Sequence, residues 1–200
     1  MNNFLLSASI LAAPHNSVEE IKQAIAIAEK SNCDLIHIDV MDGFFVEQKT
    51  LWNDTEQIAQ LSSSLPLDIH VMIKDPDTRY EEFIKAGASM FSFHIEAAKD
   101  PEVLLSKLQK SNAKIGIVIN PETSVEKVLP YLDLVDYVLI MSVHPGKSGQ
   151  KFIPATLEKV HFIRNHYPQL LIQIDGGMNV ETLPLALTAG ADIIVVGAGI

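Results

Sequence analysis

Two histidines and two aspartates stand at strand-like positions where a polar side chain is costly to bury. His37 and Asp39 lie two apart in Leu-Ile-His-Ile-Asp-Val-Met-Asp-Gly (35–43), His70 sits in Leu-Asp-Ile-His-Val-Met (67–72), and Asp175 ends Leu-Ile-Gln-Ile-Asp (171–175). A strand points every second side chain the same way. His37, Asp39 and Met41 therefore share one face, as do His70 with Met72 and Gln173 with Asp175. Burying imidazole and carboxylate together needs compensation from a metal, a hydrogen-bond network or catalytic use. If the four converge, two imidazoles and two carboxylates make a mixed N/O donor set for one divalent ion such as Zn, Fe(II), Mn or Co, with positions open for substrate oxygens.

The remaining polar groups are placed around this set. Ser7 and Ser9 share the inward phase on the first strand, and Met141 ends the sixth. Core packing is the plainer use of Met41, Met72 and Met141. His94, in Phe-His-Ile-Glu, reads as a hydrogen-bonded core or rim residue, and of the histidines outside the strands only His144 lies near the predicted site. Asp42 and Asp68 are assigned to the opposite parity and expected to bond loop backbone or helix termini. Glycine clusters end the last three strands: His-Pro-Gly-Lys-Ser-Gly-Gln (144–150), Asp-Gly-Gly (175–177) and Gly-Ala-Gly (197–199). Glycines let backbone N–H groups approach an anion, which predicts a phosphate site on these loops, with Lys147 and Ser148 offering direct contacts.

Elements that could bring these residues together recur along the chain. Eight apolar runs read as strands, at Phe4–Ile10, Asp34–Val40, Leu67–Ile73, Met90–Ile95, Lys114–Ile119, Tyr137–Met141, Leu170–Ile174 and Asp192–Val196. Between them Val18, Ile21, Ile25 and Ala28 form a helical stripe opened by the capping box Ser17-x-x-Glu20. Asn53-x-x-Glu56, Thr123-x-x-Glu126 and Asp100-Pro101 are further helix starts. Alternation of strand and helix implies parallel strands with right-handed crossovers. Eight units predict a (β/α)8 TIM barrel over residues 1–200, with a doubly wound open sheet as the alternative. The eighth helix is missing after strand eight, so either the chain is cut short or a neighbouring subunit covers that side.

Composition narrows the functional classes. With 48% hydrophobic and 20% charged residues among 200, one well-buried globular unit is expected. A net charge of −10 disfavours nucleic acid and anionic membranes as partners. The apolar runs are too short for a bilayer span or signal peptide, so a cytoplasmic protein is expected. The single cysteine, Cys33, excludes an internal disulfide and reads as a small buried filler.

From end to end the chain resembles the ribulose-phosphate 3-epimerases. The resemblance is carried by Ser-Ile-Leu (9–11), His-Ile-Asp-Val-Met-Asp-Gly (37–43), Leu-Asp-Ile-His-Val-Met-Ile (67–73), Asn-Pro-Glu-Thr (120–123), Met-Ser-Val-His-Pro-Gly (141–146), Gly-Gln-Lys-Phe-Ile-Pro (149–154) and Asp-Gly-Gly (175–177). It implies a ribulose-phosphate-binding barrel in which His37, Asp39, His70 and Asp175 hold one divalent metal while Asp39 and Asp175 exchange protons. It further implies that Ser9 and His70 touch substrate, that Met41, Met72 and Met141 cap an enediolate, and that phosphate sits against Gly146, Lys147, Ser148, Gly149, Gly176, Gly177, Gly197 and Ala198. The implied substrate is D-ribulose 5-phosphate, converted to D-xylulose 5-phosphate, and the implied assembly is a homo-oligomer. Related epimerases of D-allulose 6-phosphate share these motifs, and a non-catalytic sugar-phosphate-binding barrel is a further alternative. Decarboxylase or aldolase chemistry would need an inward lysine, which no predicted strand top carries. The chain departs from the family pattern at Phe44, Glu47, His144, Lys147, Ser148 and Ala198.

Overall fold

The computed structural model describes residues 4–14 and 16–197. Eight parallel strands close into a barrel in sequence order: β1 (Leu5–Ser9), β2 (Leu35–Met41), β3 (Leu67–Met72), β4 (Met90–His94), β5 (Lys114–Ile119), β6 (Tyr137–Met141), β7 (Leu171–Asp175) and β8 (Ile193–Val196). β8 pairs with β1, so no edge strand is left over and the open-sheet alternative is set aside.

Side-chain alternation divides the apolar residues between two cores. Outward residues such as Ile36, Ile38 and Val40 join the helices in the larger cluster, while Leu35, Met90, Val118, Tyr137, Leu139 and Ile193 form a smaller one. On β6 the two sets alternate strictly, Tyr137, Leu139 and Met141 in the smaller and Val138 and Ile140 in the larger, so the second cluster fills the barrel interior. Gly116 is what allows it. Its register partner on β6 is Tyr137, and a Cβ on Gly116 would lie 2.3 Å from that ring's Cζ. Tyr137 is fully buried and has nowhere to retreat. Gly116→Ala is therefore expected to lower unfolding free energy by about 3 kcal/mol, read as a shift of the urea midpoint at unchanged slope. An unchanged midpoint would show that the ring moves freely.

Helices α1 (Val18–Lys30), α2 (Thr55–Ala59), α3 (Pro76–Lys85), α4 (Pro101–Leu108), α5 (Leu157–His166) and α6 (Leu183–Ala189) occupy six connections. Ser17 caps α1 by accepting from Glu20 N, and Asp100 caps α4 by accepting from Val103 N. Three expectations are corrected. Asp54, rather than Asn53, caps α2. The start at Thr123 gives no α-helix: two 3-10 helices, Val125–Lys127 and Leu129–Leu134, span the β5–β6 connection. Pro130 cannot donate a helical hydrogen bond, and the Thr123 hydroxyl is engaged by Glu96 instead of a cap. Cys33 is half-buried rather than buried.

The β5–β6 connection is fastened from α5. Lys159 Nζ donates to the carbonyls of Asn120, Pro121 and Thr123 at 2.7, 2.8 and 2.6 Å. The described residues end just after β8, and no described helix is long and apolar enough to cross a membrane.

Candidate active site

Strand register and alternation bring the quartet together. Ser9 pairs with His37, Asp39 with His70, Met41 with Met72, and Met141 with Asp175. Each of His37, Asp39, His70 and Asp175 offers one ligand atom, and these atoms all lie within 4.8 Å of one another. His37, His70 and Asp39 are buried, and the Asp175 side chain is 15% exposed.

Each imidazole is held by one nitrogen and turns the other toward the carboxylates. His37 Nδ1 lies 2.8 Å from Asp68 Oδ2. Its buried Nε2 has no hydrogen-bond partner, although it stands 3.3 Å from Asp39 Oδ1 and 3.9 Å from Asp175 Oδ2. His70 Nδ1 is 3.1 Å from Asp39 Oδ1, and its Nε2 is 2.8 Å from His94 Nε2. An orphaned, fully buried imidazole nitrogen facing two carboxylates is the donor arrangement that a divalent ion completes. The quartet fits such an ion.

Asp68 is a further correction. Two residues before His70, it shares that residue's inward face; besides His37 it accepts from Ser7 Oγ at 2.8 Å and Gln173 Nε2 at 2.5 Å. Asp42 does take the loop role, accepting from the backbone of Phe44, Phe45 and Lys74. His94 is a buried, hydrogen-bonded residue, 3.3 Å from Glu96 Oε2.

Burial and neighbouring charge push the two site carboxylates apart. Burial alone would raise Asp39, but the His37 charge and the bonds from both histidines hold it well below the usual carboxylate range. Burial and the adjacent Asp39 charge raise Asp175 to about 7. Burial lowers His70, against the opposing pull of Asp39, and takes His94 to about 4. Burial would raise Glu96, yet its bonds from His94, Thr123 and Asn120 bring it down to about 2.

Above the quartet opens a cavity of about 260 Å³. Ser9, Asp39, Met41, Met72, Met141 and Asp175 line its floor and walls, and Ser9 Oγ donates to Asp39 Oδ2 at 2.9 Å. His37 and His70 lie beneath this lining, not in it. The glycine loops border the other end: Gly146, Gly149, Gly176, Gly177 and Gly197, with exposed Lys147 and Ser148. Gly177 has φ +66, and a Cβ there would lie 2.5 Å from Phe152 N, so this turn excludes a side chain. Ala198 lies outside the described residues.

Several contributors escaped the sequence reading. Val143, Met178 and Asn179 line the cavity, and Gln150 Nε2 braces the β6 loop by donating to His144 O and Lys147 O at 2.6 and 2.8 Å. Thr50 and Trp52 both donate to Asp39 O, fixing the end of β2. Val143 and Gln150 fall within motifs of the sequence without a role being legible there, and Met178, Asn179, Thr50 and Trp52 have no periodic or motif signal. Phe44 is 80% exposed, and His144 pairs with Glu122 at 2.9 Å beside the cavity mouth.

Comparison with known proteins gives a consistent result. The model of the ribulose-phosphate 3 epimerase family matches residues 5–200. The ribulose-phosphate 3-epimerase of Chlamydia trachomatis is 42% identical over 173 residues, spanning 84% of this chain and 74% of its own. That of Bacillus subtilis is 39% identical over 198 residues, spanning 96% and 89%. Among solved structures, a tryptophan synthase α-subunit from Pyrococcus furiosus aligns with TM-score 0.71 at 12% identity, covering 98% of this chain and 87% of that one. Phosphoribosyl anthranilate isomerase from Thermococcus kodakaraensis aligns with TM-score 0.63 at 15% identity, covering 98% and 89%. At such identities the structures share the barrel fold.

Proposed function

Since this chain belongs to the ribulose-phosphate 3-epimerase family, we propose that it inverts carbon 3 of a ketose phosphate, interconverting D-ribulose 5-phosphate and D-xylulose 5-phosphate. The observation that carries this reading is the pair of carboxylates on β2 and β7. Asp39 and Asp175 face one cavity, and their proton affinities are pushed to opposite sides of the ordinary value. Inversion needs a base on one side of a planar intermediate and an acid on the other.

In this mechanism Asp39 takes the C3 proton as a carboxylate, and Asp175, the more basic of the two, delivers a proton to the opposite face; the roles exchange in the reverse direction. His37, Asp39, His70 and Asp175 would hold one divalent ion, of the class of Zn, Fe(II), Mn or Co, which supplies positive charge against the enediolate's developing negative charge. Ser9 orients Asp39 through its hydrogen bond and is placed to meet the substrate. Met41, Met72 and Met141 cover the enediolate with thioethers that exclude water and have no proton to give. Backbone N–H groups of Gly146, Gly149, Gly176, Gly177 and Gly197 receive the phosphate, with Lys147 and Ser148 at its outer side. A cytoplasmic location accompanies the reading; one relative, from Oryza sativa, is a cytoplasmic isoform 39% identical over 171 residues.

Incubating the protein and a divalent ion with D-ribulose 5-phosphate in deuterated water tests the reaction. NMR should show xylulose 5-phosphate with deuterium at C3. Exchange on D-allulose 6-phosphate alone would transfer the reading to a hexulose phosphate, and no C3 exchange on either sugar would overturn it.

A further inference from the structure

Beyond the quartet, the two histidines are supported by unlike partners. His37 meets a carboxylate directly, Asp68 at 2.8 Å. His70 instead meets a second imidazole: its Nε2 is 2.8 Å from His94 Nε2, with the rings stacked 5.0 Å apart. His94 Nδ1 then faces Glu96 Oε2 at 3.3 Å, and the Phe45 ring packs on His94 with centroids 4.7 Å apart. The far oxygen of Glu96 is already occupied. Oε1 accepts from Asn120 N at 2.9 Å and from the Thr123 hydroxyl, both on the connection that Lys159 fastens.

With a cation between His70 Nδ1 and Asp39, counting protons along this line leaves one solution. Two imidazole nitrogens 2.8 Å apart share one proton, because two N–H groups would collide and two lone pairs would repel. If His94 Nε2 held it, neutral His94 would aim a bare Nδ1 lone pair at the Glu96 carboxylate. If His70 Nε2 holds it, His94 accepts there and donates Nδ1–H to Glu96. His70 Nδ1 then keeps its lone pair beside Asp39 Oδ1 at 3.1 Å, a pair of acceptors that a cation between them satisfies.

We infer that His94 and Glu96 are positioning residues that fix the Nε2-protonated tautomer of His70, so that His70 Nδ1 is presented as a metal ligand; the inference rests on the metal reading proposed above. Glu96 sets the direction of the line through its charge, and His94 carries that choice to the ligand. The connection after β5 thereby helps to set the metal site although it supplies no ligand.

The test separates charge from shape. In Glu96→Gln the amide oxygen must stay with Asn120 N–H, which turns the NH2 group toward His94 Nδ1. That favours the opposite tautomer of His94 and sets it against a His70 that binds metal through Nδ1. Zinc affinity of the full chain, measured by competition with a chromophoric chelator, should fall about 10–100-fold. Glu96→Asp, shorter but still anionic, should lose less. In the zinc-loaded wild type, long-range nitrogen–proton NMR should place the proton of His70 on Nε2 and that of His94 on Nδ1. Equal zinc affinity in wild type and Glu96→Gln, greater loss in Glu96→Asp than in Glu96→Gln, or a His94 protonated at Nε2 would overturn the relay alone. A wild type that takes up no divalent ion would overturn the relay and the metal reading with it.

Discussion

Asp175→Asn is expected to lower kcat for C3 epimerisation by about 10³–10⁴-fold, the upper range for loss of a proton-transferring side chain, while the barrel stays folded. The fold survives because the residue's structural bonds run through its backbone: Asp175 O accepts from Ser142 N and Oγ at 2.7 and 2.8 Å. An amide keeps the size of the side chain and loses the proton it moves. Asp39→Asn should be comparably inactive but less stable, since its carboxylate also accepts from Ser9 Oγ. The pH response separates the roles further. Asp175 binds its proton more tightly in the folded protein than in the unfolded chain, so its contribution to stability is full below about pH 4 and fades as pH rises through about 7. Metal-free wild type should therefore lose more Tm between pH 5 and 8 than metal-free Asp175→Asn. Retention of near wild-type kcat by Asp175→Asn would end the two-aspartate mechanism.

Stripping the protein of divalent ions with a chelator is expected to cost about 10³-fold in turnover, the scale of several kcal/mol of charge stabilisation. Restoring a transition-metal ion should return it. Stability should follow occupancy, because an ion that binds only the folded chain at a hundred times its Kd adds about 2.7 kcal/mol, or roughly 5–10 °C in Tm for a chain of this size. The His37 nitrogen is the physical reason. Metal-free, it is a buried group without a hydrogen-bond partner beside two carboxylates. Unchanged activity and Tm at negligible metal content would show that the quartet acts as a hydrogen-bond network instead.

The quartet was legible because strand alternation is a hard geometric rule. His37, Asp39, His70 and Asp175 stand at inward positions near strand ends, and register brings them together once the barrel closes. Asp68 obeys the same rule, and its spacing of two from His70 places it inside, against the opposite parity expected for it. The helix start at Thr123 misled for a different reason: its spacing fits a capping box, but the hydroxyl finds a tertiary partner in Glu96, which local sequence cannot show. Thr50, Trp52 and Lys159 act through backbone carbonyls brought near by the fold. Such contacts carry no residue-type signature, because every residue has a carbonyl to offer.

Three of the four residues that could hold an ion, His37, Asp39 and His70, lie on the adjacent strands β2 and β3, whereas Asp175 lies across the barrel on β7. The pairing of β8 with β1 that completes the ring would therefore also govern the grip on an ion. A fluctuation that parts this seam withdraws one carboxylate and leaves a looser three-residue site. Conversely, an ion held by all four opposes that opening, so exchange of the backbone amides along β1, β7 and β8 becomes coupled to metal release. Such a cation would be a clasp on the closed ring as well as a reagent within it.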